Sequence, residues 1–160
     1  MQNLVGNEVG LIHLIFSLLS VLFGTVVILG RKGTKTHKNY GYVYLIAITL
    51  TNVTAFMIYR LFGYFGPFHF AALMSLSTTY AGIIPAWRKR PVKAWKYFHF
   101  RFMYWSVIGL YMAFVAELLT RIPGTPFFGM VGLASAMVFL AGIYFLKKKE
   151  AAWKKVFGLS

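Results

Sequence analysis

The chain has no cysteine, which excludes disulfides, iron–sulfur clusters and thiolate metal sites. It is also poor in acid: only three of its 160 residues are Asp or Glu, and charged residues of both signs make up 12%. A soluble domain of this size carries far more charged surface than that. No low-complexity segment or long linker is present. What is there instead is oil. Hydrophobic residues make up 59% and aromatics 19%, and the excess of Lys and Arg gives a formal net charge of +14. A charge of that size raises the question of nucleic acid. Its placement answers no, because the basic residues fall in short blocks between apolar runs and not along one face, as they do in the loops of membrane proteins.

Five apolar segments are long enough to span a membrane as helices, each needing roughly 20 residues. The first covers about Val9–Gly30 and the second about Thr36–Tyr59, with Thr34 or Thr36 as its N-cap. The third covers about Pro67–Ala86, with Pro67 in the first turn, where a missing N–H costs nothing. The fourth covers about Val92–Thr120 and the fifth about Phe127–Leu146. Short connections make sequential helices antiparallel neighbours. The expected fold is all-α: one polytopic membrane domain over 1–160, with an up-down four-helix core over about 9–120 and a packing helix and basic tail over about 127–160.

The first apolar run is read as a retained span, not a signal peptide. "MQNLVGNEVG" has no Lys or Arg, and the basic cluster Arg31, Lys32, Lys35 and Lys38 follows the run. The next blocks are Arg88, Lys89, Arg90, Lys93, Lys96 and Arg101, then Lys147, Lys148, Lys149, Lys154 and Lys155. All fifteen fall on one side of the expected topology, against Arg60 and Arg121 on the other. The bias places the chain in a cytoplasmic membrane with its N-terminus outside and its C-terminus inside.

The four histidines follow that topology. His13 and His69 lie about one turn inside the outer ends of the first and third helices. His37 opens the second helix on the inner side, and His99 lies near the inner start of the fourth. At 1.5 Å per residue, the two layers are roughly 20–25 Å apart. In an up-down bundle, helices 1 and 3 are diagonal, as are 2 and 4, so each layer can offer two inward imidazoles to one flat cofactor. Two b-type haems with paired axial histidines fit this layout. A lone His near a helix end is often only an interfacial residue. One on each of four successive helices, with depths alternating, points further, since ionisable groups inside a membrane are costly.

Other polar residues carry rival readings. Glu117 lies at the depth of His13 and His69, and the three together make a two-His, one-carboxylate set for zinc or another divalent metal, as in a membrane hydrolase or metal-handling protein. The plainer role for Glu117 is an ion pair with Arg121 or Arg60. Thr51, Asn52 and Thr54, with Ser75, Ser77, Thr78 and Thr79, are read as interhelical hydrogen bonds, and Gly24 shares a helical face with His13. In "GMVGLASAMVFLAG", Gly132 and Ala136 form a small-residue face that docks on the bundle or on a second copy, giving a homodimer. The tail "KKKEAAWKK" is read as an anchor to anionic headgroups.

Two motifs add a resemblance. "HKNYGYVY" and "HFRFM", together with "LIHLIFSLLSVLFG", resemble the predicted membrane proteins of domain-of-unknown-function family 2306, with His13, His37, Gly41, Tyr44, His99 and Met103 at family-type positions. The resemblance implies the architecture of roughly the first four helices and names no activity. The diagonal histidine pairs are also similar in arrangement to the core of cytochrome b561, which implies two haems and electron transfer across a membrane. The expected function is therefore electron transfer from an inner donor to an outer acceptor, with a quinone or small redox molecule as partner, the lipid bilayer as solvent and no nucleic acid. A further alternative is an accessory or assembly subunit of a respiratory complex.

The topology has a direct check, because the chain offers no native thiol to interfere. A cysteine placed at Gly66 should react with an impermeant reagent added outside, and one placed at Gly33 should not. The reverse pattern would invert the orientation.

Overall fold

The computed structural model describes residues 8–59, 62–92 and 94–157, and within 151–157 only the side chain of Trp153. Arg60 and Lys93, and the side chains of Lys154 and Lys155, lie outside the described residues. Five helices follow one another: α1 (Glu8–Leu29), α2 (Lys35–Ala55), α3 (Pro67–Arg88), α4 (Trp95–Leu119) and α5 (Phe127–Phe157). By contacts the chain divides into two compact units, residues 1–79 and 80–160, with the division inside α3. Each is described by itself.

Three helices are long and apolar enough to cross a membrane: α1, α4 and the Phe127–Glu150 part of α5. α2 and α3 are not in that set. The first two turns of α2 carry Lys35, His37, Lys38 and Asn39, and its far half carries Thr49, Thr51, Asn52 and Thr54. α3 carries Ser75, Ser77, Thr78 and Thr79 in its middle. These interruptions also move helix boundaries. α2 stops at Ala55, four residues before the sequence expectation, in a tightened turn where Met57 N–H donates to Thr54 O and Ile58 N–H to Ala55 O. α5 instead runs eleven residues past Leu146, because Lys, Glu and Ala in the basic tail are good helix formers.

In unit 1, α1 and α2 pack on each other through a short connection. Thr34 is the N-cap of α2, and its hydroxyl accepts from His37 N–H at 3.1 Å. Gly33 takes the positive φ of +77° that this tight connection requires. Lys32 closes the end of α1 by donating to the Val27 carbonyl at 2.6 Å and to the Ile28 carbonyl, and burial pushes its amine down to about 8. The buried face of α1 is Ser17, Ser20 and Gly24, in helical register with His13. α2 buries Tyr44, Ala47, Ile48 and Thr51, and Ser20 Oγ lies 3.3 Å from Thr51 Oγ1. Asn52 Nδ2 donates to Ser75 Oγ at 3.1 Å, so one expected bond between the second and third helices is present. The opposite face of α1, including Leu11, Ile15, Leu18 and Leu22, is exposed apolar surface.

In unit 2, α4 and α5 pack on each other. The small residues that make this contact are not those expected. Ala134 and Gly142 are buried, whereas Gly132 and Ala136 face outward. A Cβ on Gly142 would lie 2.9 Å from Ile108 Cγ2, so the close approach of the two helices depends on that glycine. Tyr104, 4% exposed, donates its hydroxyl to the Gly142 carbonyl at 2.6 Å. Farther along α5, Trp153 stacks edge-on against Phe100 at 4.7 Å, so the tail packs on α4 as well as carrying charge. α3 ends at Arg88, with Lys89 in the left-handed region at φ 54° and Pro91 following.

Tyr104→Phe keeps the ring and removes the buried hydroxyl that links α4 to the Gly142 carbonyl of α5. Its expected cost is about 1–2 kcal/mol, read as a lower unfolding midpoint in detergent, with helix content unchanged at low temperature. An unchanged midpoint would show that the Tyr104 hydroxyl adds nothing net to a carbonyl that already accepts a helical N–H.

Candidate functional site

The site residues divide between the units. His13, His37 and His69 belong to unit 1, and His99 and Glu117 to unit 2.

His13 sits in the second turn of α1. Its Nδ1 lies 3.0 Å from the Thr51 carbonyl and 3.0 Å from Thr54 Oγ1. A carbonyl can only accept, so Nδ1 carries the proton. The Thr54 hydroxyl gives its own proton to the Leu50 or Thr51 carbonyl, at 2.8 and 2.9 Å, and is left as an acceptor. The neutral ring then holds its lone pair on Nε2. Histidines that ligate metals have this arrangement, with the second nitrogen fixed by a backbone carbonyl or a carboxylate.

His99 repeats the pattern in unit 2. Its Nδ1 lies 3.0 Å from the Gly82 carbonyl, which again places the proton on Nδ1 and the lone pair on Nε2. Gly82 permits the approach. A Cβ there would lie 2.8 Å from Met103 Sδ and 3.0 Å from Met103 N. Met103, one turn after His99, is thus packed against the glycine surface.

His69 is the opposite case. It is 4% exposed, and its Nδ1 accepts the Gly66 N–H at 3.0 Å. Gly66 precedes Pro67, the first residue of α3, so His69 occupies the third helical position and reaches back to the cap residue. This is one half of a capping box, with imidazole in place of the usual Glu or Gln. With Nδ1 accepting, the neutral ring carries its proton on Nε2. That nitrogen is buried with no hydrogen-bond partner. In this geometry His69 presents a donor where an iron or zinc ligand presents a lone pair, and it becomes a ligand only by giving up the Gly66 contact.

His37 opens α2 and helps line a cleft of about 260 Å³ with Val26, Val27, Arg31, Thr34 and Tyr40. Ligand pockets usually run from about 300 to 1,000 Å³, so the cleft takes the edge or a side group of a large ligand and does not enclose one. Glu117 is exposed and pairs with Arg121 one turn on, at 2.5 Å. That is the plainer of its two expected roles. An exposed pair of this kind contributes about 0–1 kcal/mol. Among the described residues no three His, Asp or Glu side chains gather as a metal site.

Sequence reasoning did not find the backbone groups that set these tautomers: the carbonyls of Thr51 and Gly82 and the N–H of Gly66. Only the last had a signal. Gly-Pro-x-His places a side-chain acceptor at the distance a capping box requires.

The exposed apolar faces and the polar groups satisfied inside the packing describe a membrane-embedded helical protein. Residues 10–151 match the family described as Predicted membrane protein (DUF2306), and the chain belongs to that family. No curated protein and no solved structure matches it.

The two tautomer classes can be read directly. In ¹⁵N-histidine spectra of the full chain without added metal, His13 and His99 should show protonated Nδ1 and unprotonated Nε2, and His69 the reverse. The same tautomer on all three rings would remove the distinction.

Proposed function

We propose that the protein is a b-type haem electron carrier of the cytoplasmic membrane, with five spans, an outer N-terminus and an inner C-terminus. The observation that carries the reading is the pair of backbone carbonyls, Thr51 O and Gly82 O, that meet His13 and His99 at Nδ1 and so favour the tautomer with the lone pair on Nε2, the form in which an imidazole ligates iron. Counting α2 and α3 as spans is supported by where their polar groups go. Thr51, Asn52 and Thr54 bond to backbone carbonyls of their own helix, to Ser20, to Ser75 and to His13, so lipid need not solvate them.

In this reading His37 and His99 are the inner ligands and His13 is the ligand-ready ring of the outer layer. The expected pairing of His13 with His69 requires His69 to release Gly66. When bound, the iron supplies one-electron exchange between an inner donor and an outer acceptor. The chain's own work is narrower. It fixes imidazole orientation by carbonyl contacts, keeps water out with aromatic and aliphatic side chains, and offers Arg31, which lines the His37 cleft, to an anionic group such as a propionate. The hydrolytic-metal alternative has less support, because its carboxylate, Glu117, is exposed and already engaged with Arg121.

The test is the absorption spectrum of purified protein in detergent, followed by single substitutions. A Soret band with reducible α and β bands is expected. His13→Ala, and equally His37→Ala or His99→Ala, should each lower haem content by about half if two sites fill independently. His69→Gln and Glu117→Gln should retain it. A colourless protein that binds zinc and loses it on Glu117→Gln would overturn the haem reading in favour of the metal alternative.

A further inference from the structure

Among the described residues, the donor on His69 has no acceptor. Its Nδ1 is committed to the Gly66 N–H, its Nε2–H is buried, and no hydrogen-bond partner for it exists among the described residues. Leaving a buried N–H unpaired costs about 1–3 kcal/mol, and such groups normally find a partner. The surroundings limit what the partner can be. The imidazole lies between the rings of Tyr59 and Phe65, with centroids 4.6 and 4.8 Å away and interplanar angles of 33° and 28°. Phe56 closes a third side at 6.4 Å. The sequence from Phe62 to Trp87 contains no charged residue, so the acceptor meets no cation or anion from this stretch. A buried water needs two to four polar partners, and Nε2–H is the one donor still uncommitted on this ring.

The cover over the donor is thin. Tyr59 is 44% and Phe65 45% exposed, and Phe70, which meets Phe65 edge-on at 5.0 Å, is 59% exposed. Aromatic residues concentrate at membrane–water interfaces, the depth at which neutral carbonyl groups of lipid-soluble molecules are found. A neutral donor in an apolar aromatic setting selects a neutral acceptor on an apolar body.

We propose that His69 Nε2–H is the hydrogen-bond donor to the carbonyl oxygen of a lipid-soluble ligand that enters beside Tyr59 and Phe65. The carbonyl belongs either to a quinone head group or to a phospholipid ester. The site goes beyond the haem reading and does not depend on it, since His69 is outside the ligand-ready set.

The experiment uses full-length ¹⁵N-histidine protein in nanodiscs of ether-linked phosphatidylcholine, titrated with decylubiquinone, beside nanodiscs of ester-linked phosphatidylcholine. The His69 Nε2–H proton resonance should move downfield and saturate as quinone is added to ether-lipid discs. Quinone quenching of tyrosine and tryptophan fluorescence gives the affinity, which should weaken at least about tenfold in His69→Phe and recover in His69→Gln, whose amide N–H stands near the position of Nε2. A downfield resonance in ester lipid that ignores quinone assigns the carbonyl to the lipid and supports the site. An Nε2–H resonance that is the same in both lipids, with and without quinone, would overturn it, as would rapid exchange of that proton with water. An iron-ligated Nε2 would also overturn it while leaving the haem reading intact. Because the resonance is read on the unsubstituted chain, the outcome stands even if His69→Phe does not fold.

Discussion

The contact from His13 Nδ1 to the Thr51 carbonyl organises unit 1. It links α1 to α2 at the depth where α2 is most polar, and it draws Thr54 into the same point. The stripe of Ser17, Ser20 and Gly24 continues from it along α1, each residue small enough to let α2 approach. In lipid the apolar surfaces of two helices gain little by meeting, since the surroundings are as apolar as they are. Close approach and satisfied polar groups supply the specificity. Unit 2 uses the same two devices: Gly82 admits Met103 and His99, and Gly142 admits Ile108 and receives the Tyr104 hydroxyl.

Backbone groups also divide the histidines. The ring is the same in each case, but a carbonyl opposite Nδ1 makes a lone-pair donor at Nε2, and an N–H opposite Nδ1 makes a proton donor there. His13 and His99 fall in the first class and His69 in the second. Reading all four as equivalent ligands follows from counting residues and depths. Separating them requires knowing which main-chain group each ring meets.

The order and number of helices were legible in the sequence because apolar run length and the Thr34 and Pro67 signals are local. The end of α2 was not, because the residues after Ala55 are as apolar as those before it, and the chain leaves the helix through a turn closed by the Thr54 and Ala55 carbonyls. Which small residues of α5 meet α4 was not legible either. Gly132 and Ala136 have the spacing associated with close packing, yet Ala134 and Gly142 have a compatible spacing too, and only the partner surface at Ile108 and Tyr104 decides between them. Glu117 with Arg121 was legible as an i, i+4 pair. The orientation of His13 and His99 was not, since a carbonyl has no signature in the one-letter code.

The histidine contacts described above join a neutral imidazole to an uncharged main-chain group, and the Glu117–Arg121 pair is open to solvent. The chain's large positive excess is therefore little used in holding these contacts together. Salt then acts on two processes separately. Raising ionic strength weakens the attraction of the basic segments to an anionic bilayer surface, an effect that fades within a Debye length. The same salt leaves the carbonyl-anchored helix contacts almost untouched, so adhesion to the membrane surface and internal cohesion respond independently.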